Sequence, residues 1–461
     1  MRISISDTGA IASDSLISTK AIQDAINRCA EAGGGVVYCP PGKFLTGTLW
    51  LKDNITLYLE SGCTLMACGQ RSEYNAADCF PEQDLVAHQA ADGTHLLIAY
   101  KCRNVTISGR GTIHGNHLAF FTEGVIKADP AIEGAHDHYK MPVTRPGQML
   151  YFFGSTDIRI ENISIINACF WSVYMLGCDS VKVSGVTIRT ARAIPNADGL
   201  HFNCCRNLVV DNCEIDTADD CIVLRGHYKV MGANDMPSEN VIVSNCILRT
   251  RCCAFRLGVG DGTLRNCLFS NIVIHDTRTG ISIWPAYSHR YPRGTDMDNI
   301  RFENIVMDVA MPVFFILGEG STATVGNITF QNMSCRATKP SCIIGEAGNH
   351  LSNIEFSNCV FRFYGNKKQA LFDPDSYGDK EFFTEPPACG IFIRYTDYLR
   401  LRNVRLDWSK AEGSRSEAIC CIDCEKIDVR DIDAGDFENV GIRAPLRLSR
   451  SSISHPHLPD S

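Results

Sequence analysis

Short runs in which apolar and polar residues alternate recur along most of this chain. NVTISGRGTI begins at Asn104, DIRIENISII at Asp157, SVKVSGVTIR at Ser180 and NLVVDNCEI at Asn207. NVIVSNCIL follows at Asn240, NIVIHD at Asn271, NIRFENIVM at Asn299, NITFQNMSC at Asn327 and NIEFSNCVF at Asn353; KIDVRDIDA at Lys426 is a weaker late copy. A period of two puts every second side chain on one face, the mark of a half-buried β-strand. From Asp157 to Asn353, successive starts differ by 23, 27, 33, 31, 28, 28 and 26 residues. That spacing is too short for β-propeller blades, and the alternation excludes helical repeats. A β-sandwich, with strands every 8–12 residues or so, does not explain it either. The pattern predicts an all-β chain, a single-stranded parallel β-helix with its apolar alternates inside and its bends at Gly, Asn and Asp.

Other segments take their meaning from that solenoid. Residues 18–32, STKAIQDAINRCAEA, place Ile22, Ala25, Ile26 and Cys29 on one helical face, and Gly33-Gly34-Gly35 ends the run. An N-terminal helix of this kind covers the raw apolar end of a solenoid. Residues 116–147 and 362–390 interrupt the repeat as long polar insertions, which in repeat proteins usually wall a groove. One β-helix domain over 1–450 is expected, with 451–461 as a flexible tail.

Composition narrows the class. The 461 residues are 45% hydrophobic, with a formal net charge of −8 and no dense Lys/Arg run, so no nucleic-acid partner is expected. No stretch of about 18 apolar residues exists to span a membrane. The first residues lack a charged segment followed by an apolar one, so no secretory leader is legible. The 23 cysteines show no paired CxxC zinc spacing; Cys421 and Cys424 form a lone CxxC. Cys213, Cys246, Cys267 and Cys359 recur in one register, as stacked small apolar side chains would. Reduced core thiols point to the cytoplasm, with secretion as the alternative if a leader precedes this sequence.

The chemistry concentrates in residues 190–227, TARAIPNADGLHFNCCRNLVVDNCEIDTADDCIVLRGH. Asp198 lies in Asn196-Ala197-Asp198-Gly199, and Asp219 and Asp220 precede Cys221. Asp198 and Asp219 are one solenoid turn apart, which places them on neighbouring rungs separated by about 4.8 Å. Clustered acids repel, which can keep one carboxyl protonated while another stays ionised. Consecutive residues of a regular strand face opposite ways, so Asp219 and Asp220 share a cleft only where the backbone bends. The competing reading of Asp198 and Asp219 is a turn-forming Asp that caps its own backbone. Adjacent acids can also bind Ca²⁺, but no further oxygen ligands are identifiable, so neither metal nor cofactor is expected.

Several segments carry a resemblance covering about residues 40–360. AEAGGGVVYCPPGKFLTGTLWLKDNITLYLESGCTL, GRGTIHGN and NACFWSVYMLGCDSVKVSGVTI are similar to stretches of the polygalacturonase-type glycoside hydrolases of family 28, with their pectin-lyase-like right-handed β-helix. Asn196-Ala197-Asp198-Gly199 resembles that family's Asn-Thr-Asp-Gly, and Ala218-Asp219-Asp220-Cys221 its Gly-Asp-Asp-Cys. Two later motifs differ. Cys252-Cys253-Ala254 stands for Gly-His-Gly and Ser282-Ile283-Trp284 for Arg-Ile-Lys, whose Arg and Lys bind the substrate carboxylate in the family.

The resemblance implies an inverting hydrolase of plant-type (pectic or related) oligo- or polysaccharides, with a sugar other than plain galacturonate at the central subsite. It makes Asp219 the general acid and gives Asp198 and Asp220 the water. Asn196, His201, Arg225, His227, Arg256 and Trp284 are the candidate sugar-binding residues. Surface salt bridges compete as the explanation of the arginines, structural roles for the histidines, and core packing for Trp284. Another carbohydrate enzyme on this scaffold (lyase, epimerase or fructan transferase) and a non-catalytic carbohydrate-binding solenoid remain as alternatives. Oligomeric state is not legible.

Overall fold

The computed structural model describes residues 1–76, 90–129, 136–227, 236–287, 291–366, 387–412, 417–435, 444–449, 451 and 453–456. They fall in two compact units, Met1–Val223 with Lys229–Met236 and Leu224–Tyr228 with Pro237–Ser461. Both are built from coils of a right-handed parallel β-helix. No helix among the described residues is long and apolar enough to cross a membrane.

Three parallel ladders make up the first unit. One joins Gly35–Cys39, Ile55–Leu59, Arg103–Gly109, Thr156–Glu161, Asp179–Ser184 and Arg206–Asp211. The second joins Gly42–Thr46, Cys63–Ala67, Thr112–His114, Ser164–Ile166, Thr187–Arg189 and Glu214–Thr217. The third runs through Leu49–Trp50, Leu97–Tyr100, Leu150–Phe153, Val173–Leu176 and Leu200–Asn203. In the first two ladders buried residues alternate with half-buried ones, as in Ile55–Leu59 and Cys63–Ala67. The third differs, because LYFF, VYML and LHFN are buried on both faces. Tyr151 stacks on Tyr174 at 5.2 Å, and His95 covers Tyr151 with ring centroids 4.6 Å apart. His201 continues the Tyr174 row on the next rung.

The helix forms over Thr19–Glu31 and buries the four expected residues, Ile22, Ala25, Ile26 and Cys29. Gln23 also closes an edge with its amide: Nε2 donates to Trp50 O at 3.0 Å, and Trp50 N donates to Oε1 at 2.8 Å. Arg2–Ser4 pairs with Val36–Tyr38, occupying the free edge of the first ladder.

Asparagine turns the corners in the second unit. Asn240, Asn266, Asn299, Asn327 and Asn353 all adopt φ between +52° and +56°. They align in register, with pairs Val241–Cys267, Cys267–Ile300, Ile300–Ile328 and Ile328–Ile354. A parallel row holds Asn245, Asn271, Asn304, Asn332 and Asn358. Side-chain amides bond rung to rung, Asn299 to Asn266 at 2.9 Å and Asn332 to Asn304 at 3.0 Å. One sequence expectation is corrected here. Asn271 does not open a coil; it sits at the second corner, and the coil opens at Asn266 in RNCLF. The steps between Asn240, Asn266 and Asn299 are therefore 26 and 33 residues, with Asn271 following five residues after Asn266.

Inside this unit Phe269, Phe302, Phe330 and Phe356 stack at 4.6, 5.4 and 4.6 Å. Every described cysteine is a free thiol, and among them only Cys252 is not buried. Ile453–Pro456, in the expected tail, pairs with Ile427–Val429. The 367–386 part of the second insertion and residues 457–461 lie outside the described residues.

Two outcomes follow from this fold. Asn304 holds φ +56°, a conformation costing a Cβ-bearing residue about 1–2 kcal/mol unless it is Asn, Asp or Gly. Asn304→Ala is expected to unfold at lower urea than Asn304→Gly, which loses only the ladder bond. His95 is buried neutral, its pKa pushed down from 6.5 to about 4 by burial. The unfolded chain thus binds the proton more readily, so this stability is complete above about pH 6.5 and is lost as pH falls through 4. His95→Gln should flatten the fall of the melting temperature across that window.

Candidate active site

From Thr187–Arg189 the chain passes through a turn into Leu200–Asn203, with Asn196 at φ +54°. Asn196-Ala197-Asp198-Gly199 occupies that turn. Gly199 is dictated by the next rung, since a Cβ there would stand 2.4 Å from Cys221 O. Its N–H donates to Asp220 O at 2.9 Å, while Asp219 N donates to Ala197 O at 3.3 Å. The acids therefore sit on adjacent rungs, tied through their main chains.

A bend at Ala218–Asp219 separates strand Glu214–Thr217 from the one beginning at Ile222. Thr190 Oγ1 accepts from Ala218 N at 2.8 Å, and Thr217 Oγ1 donates to Asp219 O at 2.7 Å. This is the break in strand geometry that consecutive acids need in order to share a cleft. Asp219 is half-buried, whereas Asp198 and Asp220 are buried. One Asp219 oxygen, Oδ1, accepts from Asp220 N at 3.0 Å. Self-capping is thus real for that oxygen.

His201 Nδ1 lies 3.5 Å from Asp198 Oδ2, with both side chains buried. Trp171 packs on the imidazole at a centroid distance of 3.9 Å, and Tyr174 meets it edge-on at 5.6 Å. Arg145 is fully buried beneath the turn and donates to Pro195 O, Cys169 O and Asn196 Oδ1. Sequence reasoning missed both Trp171 and Arg145. Neither carried a signal: Trp171 sat in an apolar run, and Arg145 in the insertion ahead of Pro146-Gly147.

The remaining candidates belong to the second unit. Arg225 ends strand Ile222–Arg225, and its carbonyl accepts from Ser238 Oγ at 2.6 Å. His227 Nδ1 is 3.1 Å from Asp261 Oδ1, and its ring meets Tyr291 at 4.4 Å. Arg256 donates to Ser282 Oγ at 3.3 Å and lies 4.4 Å above the Tyr287 ring. Trp284 packs edge-on against Tyr287 at 5.0 Å and Phe314 at 5.5 Å. Arg256 and Trp284 are thus joined through Tyr287, which the sequence did not single out. Cys253 is buried, while the half-buried Cys252 Sγ accepts from Arg278 Nη2 at 2.9 Å.

Residues 84–347, more than half of the chain, match the model for the glycosyl hydrolases of family 28. The chain belongs to glycosyl hydrolase family 28. A probable polygalacturonase of Vitis vinifera is 26% identical over 323 residues, covering 68% of this chain and 62% of that protein. An exo-poly-α-D-galacturonosidase of Dickeya chrysanthemi is 26% identical over 313 residues, covering 60% of this chain and 51% of the relative. This chain therefore spans less than two thirds of the length of either relative. Among solved structures, a hyperthermoactive exopolygalacturonase from Thermotoga maritima superposes with a TM-score of 0.68 at 19% identity, over 89% of this chain and 92% of that one. At that identity the likeness bears on the fold alone.

For this family-28 chain, the thiols offer a direct check of the position where histidine is missing. In the native protein Cys252 is expected to react with a thiol reagent, and Cys253 to react only on unfolding. Peptide mapping after brief alkylation, with Cys252→Ser as control, reads this out.

Proposed function

We propose that this protein is an inverting glycoside hydrolase of pectic or related plant-type oligosaccharides. Asp219 serves as general acid, and Asp198 and Asp220 hold and deprotonate the attacking water. The reading rests above all on one observation: Asp198, Asp219 and Asp220 lie on two adjacent rungs, at a bend that breaks strand alternation between Asp219 and Asp220. Cleavage of a glycosidic bond needs a proton donor at the leaving oxygen and a carboxylate that activates water on the opposite face of the ring. The half-buried Asp219 suits the donor, which must reach substrate. The two buried acids suit the water-holding role, and His201 lies against one of them. Names of the grape and bacterial relatives point to pectic substrates.

The central subsite is assigned to a neutral or modified sugar. Trp284 and Tyr287 supply aromatic surface, and Arg256 remains as a cation beside them. His227, oriented by Asp261, and Arg225 are assigned as further sugar contacts. The free thiols support a reducing compartment as its place of work.

A carbohydrate-binding solenoid without turnover is the second reading, favoured by the capping bond that Asp219 Oδ1 makes to its neighbour. The two separate in one experiment. Pectic, xylan and other plant oligosaccharides are screened for new reducing ends and ultraviolet absorbance, and the anomer first formed is identified by NMR. Inverted product is expected, with Asp219→Asn lowering kcat by roughly 10²–10⁴-fold, the usual worth of a general acid. Near-native turnover by that variant, or an absorbing unsaturated product, would refute the assignment.

A further inference from the structure

Arg145 has no exposed surface, yet its guanidinium reaches three oxygens beside the acids. Nη1 donates to Cys169 O at 2.9 Å and to Pro195 O at 2.6 Å; Nη2 donates to Asn196 Oδ1 at 2.9 Å. The cation lies 4.9 Å from the Phe170 ring centroid and 5.7 Å from that of Phe121. Burying a cation is costly unless its donors are satisfied and opposite charge is near. Here three oxygens accept from it, and Asp198 and Asp219 act on it electrostatically. Arginine only donates, so Asn196 must turn Oδ1 toward it and direct Nδ2 the other way.

We propose that Arg145 is a positioning residue for the reaction at Asp198 and Asp219, fixing the 195–198 turn and the amide orientation of Asn196. Being wholly buried, it touches no substrate and acts only through the groups it holds. Burial pulls its pKa down to about 10, which still leaves it charged at neutral pH. Other charged or titratable groups lie near it. Arg71 and Asp92 pair with each other, and Asp92 N donates to Arg145 O. Burial pushes the Cys169 thiol up to about 12, so it stays protonated. His201 contacts Asp198 from three residues further along the same coil. Arg145 therefore biases Asp198 and Asp219 toward their ionised forms, and its removal raises both pKa values.

The kinetic part of this inference rests on the hydrolase reading; the titration part does not. The full chain is labelled with ¹³C at aspartate carboxyls, and Asp198→Asn and Asp219→Asn assign the two signals. In Arg145→Gln both acid constants are expected to fall by about tenfold, one pKa unit, whereas Arg145→Lys keeps them near wild type. On the oligosaccharide found by the screen, Arg145→Gln should lose about 100-fold in kcat, the scale of a misplaced catalytic group, and its acidic limb should move to higher pH. Arg145→Lys should restore the limb but not the full rate, because lysine lacks the planar fork.

Unchanged titrations in a folded Arg145→Gln chain would overturn the proposal. If that variant fails to fold, Arg145→Lys decides, and a wild-type rate from it would equally overturn the role of the fork. Shifted titrations in a chain that cleaves nothing would sink the hydrolase reading while supporting the positioning role.

Discussion

The constraint on which the structure turns is the left-handed backbone at the corners of each coil. A parallel solenoid must change direction several times per turn without losing the main-chain pairing between rungs. Residues with a Cβ resist φ near +55° by about 1–2 kcal/mol, while asparagine tolerates it. Once one rung accepts an asparagine there, the amide of the next can bond to it, as Asn299 does to Asn266 and Asn403 to Asn358. Each amide bond is worth only about 1 kcal/mol net. Repetition makes the row matter, because a one-residue slip would break every bond in it and turn each apolar alternate outward.

Register is also what assembles the acids. Asp198 and Asp219 lie on different coils, and nothing local brings them together. Gly199 N to Asp220 O and Asp219 N to Ala197 O fix their separation as part of the same ladder that builds the core. Gly199 is needed for this approach, since any side chain would run into Cys221 O. The site therefore inherits the rigidity of the solenoid, whereas a site on a free loop would not.

Much of this was legible in the sequence because both devices are periodic. Alternating residues and recurring asparagines announced the coil, and the capping helix showed its four buried positions directly. The mistake at Asn271 has a clear cause. Two asparagines five residues apart mark two corners of one coil, and NIVIHD resembles a coil start as well as RNCLF does. The acids were legible through their motifs. Arg145 was not, because its contacts are made with a turn 50 residues later. Trp171 was hidden for the opposite reason, since an aromatic in an apolar run carries no mark of facing His201.

The third ladder explains why such a buried cation belongs here. Its strands are buried on both faces, and Tyr151, Tyr174, Trp171 and His95 exclude water from the outer surface that leads to His201. Low water content strengthens every charge interaction nearby. Two acids on adjacent rungs would then repel until one took up a proton, and burial pushes the pKa of the other up as well. A buried guanidinium within their field opposes that tendency without occupying the substrate's space. The covered aromatic row and the hidden arginine are in this sense one arrangement: the first raises the cost of clustered negative charge, and the second offsets it.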